Sequence, residues 1–169
     1  TNNSNPLIID DYLKLGGPDL SNTIEVNGMY ITHHLLSITG QFTPQPVEYD
    51  GKYFLLMGEI YNYDDSLPSD IYFGIEKYLE YGAGFVDYLD GEFLFIIVDG
   101  DNIDFFTDPW STRQCYFTVE DDHWYFTTFR VSKESRRFLH NSHYYFNTKS
   151  RKIRQVNPEL VSWNLDQNV

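Results

Sequence analysis

The chain has 169 residues, with 12 Lys and Arg against 25 Asp and Glu, a formal net charge of −13; that excess of carboxylates excludes most of its surface as a nucleic-acid interface. The length predicts one domain over 1–169, able to bury a core without disulfide or metal staples, and 41% hydrophobic against 22% charged residues excludes disorder. The longest apolar runs, such as Phe93–Val98, are strand-length, so nothing in the sequence spans a bilayer.

Thr1–Ser4 is polar, and residues 1–5 read as a loose arm. Asn5-Pro6 supplies a cap and a first-turn proline and Gly16-Gly17 a stop, which predicts a short helix over Leu7–Leu15. Thr23–Val26 and Met29–His34 flank Asn27-Gly28, the strongest short hairpin signal. Tyr53–Met57 reads as a buried strand. Ser69 caps a second helix in which Ile71, Ile75, Tyr78 and Leu79 recur at helical spacing and Gly82 ends the run, with one more turn expected over Phe85–Leu89. Strands follow at Glu92–Asp99, Ile103–Thr107, Gln114–Val119 and His123–Thr128, joined by Gly100-Asp101-Asn102 and Glu120-Asp121-Asp122. A helix is expected around Val131–Leu139, then a hairpin of Tyr144–Asn147 with Ile153–Val156, then a tail over 157–169. Aromatics at 18% and a single alanine, Ala83, favour a strand-rich fold. Hairpins without βαβ alternation place the chain in the α+β class.

Common catalytic and binding signatures are absent: no glycine-rich phosphate loop, no cysteine pair, no Gly-x-Ser-x-Gly elbow. His33 and His34 are neighbours on a strand and face opposite ways, so they cannot share a metal. His140 and His143 straddle a helix-to-strand junction with no carboxylate beside them. The sequence therefore predicts no metal and no cofactor. Cys115 lies in a strand as a buried structural thiol, and a lone cysteine, with no visible leader pattern, predicts a cytoplasmic location.

The informative stretch is Gly58-Glu59-Ile60-Tyr61-Asn62, which stands eleven residues ahead of Ser69-Asp70. Before it come Gly17-Pro18-Asp19, Leu36-Ser37-Ile38 and Gln45-Pro46. After it come Gly84-Phe85-Val86, Leu89-Asp90-Gly91-Glu92-Phe93, Asp108-Pro109 and Arg113. Each motif alone is weak, but the ordered set, from about Leu7 to Val156, resembles the glutaminase domain of asparagine synthetases, a class II glutamine amidotransferase. The resemblance implies the N-terminal-nucleophile hydrolase fold, an αββα sandwich of two mainly antiparallel sheets. It also implies that Gly58, Glu59 and Asp70 stand at ligand-binding positions, the two carboxylates at those that hold an α-amino group.

The catalytic positions depart from that pattern. The family's nucleophile is an N-terminal cysteine whose own α-amine serves as base; this sequence opens Thr1-Asn2-Asn3-Ser4, and Thr1 precedes a polar stretch and a proline rather than opening a strand. Met57 stands where the family has an asparagine oxyanion donor, and a thioether cannot donate a hydrogen bond. Leu35 stands where the family arginine grips the substrate carboxylate. The sequence thus predicts no catalytic residue and a catalytically inactive glutaminase-like domain that works as an interaction or scaffold protein. Two alternatives stay open: a glutamine or asparagine sensor, and the glutaminase domain of a synthetase whose nucleophile lies outside this chain.

Charge is also uneven. Residues 1–129 hold 4 basic and 22 acidic side chains, whereas 130–154 hold 8 basic ones and only Glu134. Lys133, Arg136, Arg137, Lys149, Arg151, Lys152 and Arg154 are either a solvated face that offsets the acidic body or a surface for an acidic protein or a second copy of this chain. Nucleic acid is disfavoured because no aromatic-interleaved or glycine-rich signature accompanies them.

Overall fold

A computed structural model describes residue 1 and residues 10–120 and 123–157. The expected arm beyond Thr1, the Asn5-Pro6 cap, Asp121-Asp122 and the tail from 158, with Trp163, lie outside the described residues.

The centre is a six-stranded sheet made of β3 (Val47–Tyr49), β4 (Lys52–Ile60), β5 (Gly91–Asp99), β6 (Asn102–Thr107), β10 (His143–Asn147) and β11 (Lys152–Asn157), in the spatial order β11-β10-β6-β5-β4-β3. Every pairing in it is antiparallel. The continuous apolar run of β5 has a physical reason: alternate side chains enter two different cores. Phe93, Phe95 and Ile97 face α2 (Asp70–Tyr81) and the 3₁₀ segment Gly82–Tyr88, whereas Leu94, Ile96 and Val98 face a second layer. Gly74 is the contact point of α2, since a Cβ there would lie 2.4 Å from the Phe95 ring.

The second layer comprises the hairpin β1 (Leu20–Val26) with β2 (Met29–Leu35), and a three-stranded sheet of β7 (Tyr116–Glu120), β8 (His123–Thr127) and β9 (Arg136–Arg137) in the order β8-β7-β9. Met29, Trp124, Phe138 and Phe126 from this layer meet Leu55, Leu94, Phe105 and Phe146 of the large sheet. The short helix α1 (Asp10–Lys14) reaches the same side, with the Tyr12 ring centroid 4.8 Å from that of Phe129. The fold is therefore, as expected, an α+β sandwich of antiparallel strands, the six-stranded sheet facing a layer made of the β1–β2 hairpin and the three-stranded sheet. Among the described residues no helix is long and apolar enough to cross a membrane.

Local signals hold where the determinants are local. Asn27 and Gly28 take φ of 51° and 75°, as a tight hairpin turn demands, and α2 runs between Ser69 and Gly82, although the Ser69 hydroxyl makes no capping bond and donates to Asp70 instead. The expected helix over Val131–Leu139 does not form. Ser132 accepts from Glu134 N–H and Ser135 accepts from Ser132 N–H, both at 3.0 Å, local bonds that compete with a helix. Arg136 and Arg137 pair instead with Phe117 and Tyr116 as β9, which drops Phe138 into the second core. The strand β3 has no sequence counterpart in the expectation, and Cys115 sits just ahead of β7, buried, rather than within a strand.

Candidate functional site

Between the layers, beyond Val47 at the start of β3, lies a cleft of about 660 Å³ whose lining includes β2, residues 55–59 of β4, residues 36–39, Gln41, Thr43, Gln45 and residues 112–115. The edge of β4 is the key element. Leu56 and Ile60 both turn their N–H away from β5: Leu56 donates to Gln45 Oε1 at 2.7 Å and Ile60 to Asp70 Oδ2 at 3.0 Å.

Gly58 has φ of +113°, and a Cβ there would lie 1.8 Å from Glu92 O and 3.1 Å from Arg113 Cγ. Its missing side chain thus lets β5 and the Arg113 stem close over β4. Arg113 Nη2 stands 3.9 Å from Glu92 Oε2. Glu59 and Asp70 both line the cleft, and Ser69 donates to Asp70 Oδ1 at 2.9 Å. The hydroxyl of Tyr61, just beyond, is pushed above its ordinary range by desolvation, then by the charges of Glu92 and Glu59.

The positions expected to differ from the family are in the same place. Leu35 and Met57 line the cleft, and so does Thr1, whose backbone pairs with Tyr30 at 2.7 and 3.0 Å. Three groups without an expected site role join them. Gln45 is 6% exposed and caps Leu56; its only sequence signal was the Gln45-Pro46 motif. His33 is 8% exposed, hydrogen-bonds the Leu56 backbone and leaves Nδ1 without a partner. Burial, then the charge of His34, push this imidazole down to about 4. Arg113 was quoted only as a motif position. Its loop is held by Asp108, fully buried, whose carboxylate accepts from Phe93 N–H (3.1 Å), Trp110 N–H (2.7 Å), Thr112 N–H (3.0 Å) and Thr112 Oγ (2.5 Å).

Other motifs prove architectural. A Cβ on Gly17 would lie 2.1 Å from His34 O, and Asp19 accepts from Ser37 N–H at 2.8 Å, so Gly17-Pro18-Asp19 clamps the segment that leads to Leu36 and Ile38. Asn62 bridges Tyr88 O and Asp90 N–H, both at 2.9 Å.

The seven basic residues are split between sheets. Arg136 and Arg137 lie on β9, with Lys133 in the loop before it, whereas Lys149, Arg151, Lys152 and Arg154 belong to the β10–β11 hairpin. Several are engaged locally: Lys149 pairs with Asp101 at 2.5 Å, Arg154 stacks on Tyr145 at 4.8 Å, and Arg137 donates to Ser111 O at 3.4 Å. His143 does have a carboxylate beside it, contrary to the sequence expectation: Asp104 at 2.6 Å. Among the described residues no three His, Cys, Asp or Glu side chains gather as a metal site. Burial pushes the Cys115 thiol well above its ordinary range, which makes it a poor nucleophile.

This α+β sandwich, with its cleft at a free strand edge, has a counterpart among solved structures. Glutamine phosphoribosylpyrophosphate amidotransferase from B. subtilis, solved with ADP and GMP, superposes with a TM-score of 0.56 at 14% identity over 77% of this chain. This chain spans only 35% of that one. No protein-family profile matches the sequence, and no curated protein matches it.

Proposed function

We propose that this chain is a glutaminase-fold domain that does not hydrolyse glutamine and works as an interaction or scaffold module. One observation carries the reading: Leu35 and Met57 both line the cleft, so each substitution falls where a ligand would sit. A leucine and a thioether supply neither a cation nor a donor there. Loss of one oxyanion donor costs ~10²–10³ in rate, and loss of a charge-assisted hydrogen bond costs about 1.5–3 kcal/mol. The likeness to an amidotransferase and the ordered motifs support the descent of the fold; the apolar replacements support the loss of chemistry. Through its basic side chains the domain would meet an acidic surface, that of another protein or a second copy. The test is ammonia release from glutamine in a coupled assay. No release above buffer is expected; release abolished by Thr1→Ala would overturn the reading.

A second reading, an amino-acid sensor, is favoured by Glu59, Asp70 and Arg113 lining one cleft. Calorimetric titration with glutamine decides it: micromolar affinity lost in Asp70→Asn supports the sensor, and no heat supports the interaction module.

A further inference from the structure

The mouth of the cleft carries an unusual surface. Leu36 and Ile38 line it, yet they are 49% and 71% exposed. Phe42, 57% exposed, stands between the lining residues Gln41 and Thr43, and Trp110, 72% exposed, lies two positions before the lining residue Thr112. Tyr61, 56% exposed, follows Glu59 by two positions. Leu36 and Ile38 thus present exposed apolar side chains on the lining itself, the kind of surface that marks an interaction site.

The rim is also built. Asp19 pins Ser37, the Gln41 N–H donates to Pro68 O at 2.7 Å, and Asp108 ties down Trp110 and Thr112. Pre-set loops lose little entropy when a partner docks.

The charge in and around the cleft points to one kind of occupant. Glu59 and Asp70 line it and Glu92 stands beside it, against one cation, Arg113, already turned toward Glu92. Residues 1–129 as a whole carry 22 acidic and 4 basic side chains, so the field around the cleft attracts cations. Among the described lining residues, Arg113 is the one Lys or Arg that could meet an acidic ligand.

We propose that this cleft docks a segment of another polypeptide in which basic side chains alternate with apolar ones, the basic groups reaching Glu59 and Asp70 while the apolar ones cover Leu36 and Ile38. The proposal rests on the reading of the domain as a binding rather than a hydrolysing module, and it names the face and the chemistry of the partner. It adds a second contact face, at the acidic cleft, to the basic one carried by β9 and the β10–β11 hairpin.

The probe is a fluorescein-labelled eight-residue peptide of alternating leucine and lysine, followed by anisotropy with the full chain. Controls replace its lysines by glutamate or its leucines by serine. The Leu–Lys peptide should bind, and each control should bind at least tenfold more weakly. A Glu59→Gln, Glu92→Gln variant and a Leu36→Ser, Ile38→Ser variant should each lose at least tenfold. A Glu25→Gln, Glu48→Gln variant removes the same charge from β1 and β3 and should lose less than threefold. Equal losses in the two glutamate variants would reduce the effect to net charge and overturn the proposal, as would equal binding of all three peptides. Circular dichroism confirms that each variant folds. Absent peptide binding together with absent ammonia release refutes this proposal alone; ammonia release refutes the underlying reading whatever the peptide does.

Discussion

Asp108 offers the sharpest test of how the cleft is held. Its carboxylate is fully buried and joins β5 to the loop that carries Trp110 and Arg113, through Phe93 N–H at 3.1 Å, Trp110 N–H at 2.7 Å and two contacts from Thr112. Asp108→Ala removes all of them at once. The donors are not equivalent: Phe93 is buried, whereas Trp110 and Thr112 are exposed and can turn to water. The orphaned Phe93 N–H costs about 1–3 kcal/mol, and the released loop bonds add roughly 0.5–1.5 kcal/mol each before water compensates. A total of about 3–5 kcal/mol is expected, a large share of the ~5–15 kcal/mol that holds a domain together. Asp108→Asn keeps one acceptor oxygen but aims an NH₂ group at a donor, so it should lose about 2–3 kcal/mol. Urea unfolding followed by far-UV circular dichroism gives both values. The order alanine worse than asparagine worse than wild type is expected, with the loop's release also visible as a changed Trp110 emission in native buffer. Asp108→Asn within 0.5 kcal/mol of wild type would refute the reasoning, because a carboxylate surrounded only by donors cannot be exchanged for an amide without loss.

Gly58→Ala should destabilise by roughly 3 kcal/mol or more, because φ of +113° and a Cβ 1.8 Å from Glu92 O act together; Gly100→Ala, at φ of +58° with nothing within 4 Å, should lose only ~1 kcal/mol in the same urea assay. His33 gives a pH dependence: its imidazole lies at about 4 in the fold against 6.5 unfolded, so between those values the unfolded chain binds more protons. Its contribution is complete above pH 6.5 and falls away as pH drops toward 4, by up to ~3 kcal/mol; urea midpoints from pH 4 to 7 should flatten in His33→Gln, and an unchanged slope would show that other groups set it.

Much of this protein was legible in its sequence. The Asn27-Gly28 hairpin, the Ser69-to-Gly82 helix and the two apolar strands around Gly100 rest on turn chemistry and periodicity within a few residues, and the structure has them in place. Gly58, Glu59 and Asp70 were expected together from an ordered set of motifs, and all three line one cleft. What only the tertiary structure decided depends on residues far apart in the chain. Val131–Leu139 has helix-like spacing, yet β7 offers Arg136 and Arg137 an edge and the second core offers Phe138 a place, and those contacts outweigh a weak local preference. His33 and Arg113 look ordinary in the sequence. They become part of the cleft because β2 and the Asp108 loop converge on the free edge of β4, an edge open because β3 begins only at Val47, opposite Phe54, and leaves the Leu56 and Ile60 N–H groups to the side chains of Gln45 and Asp70.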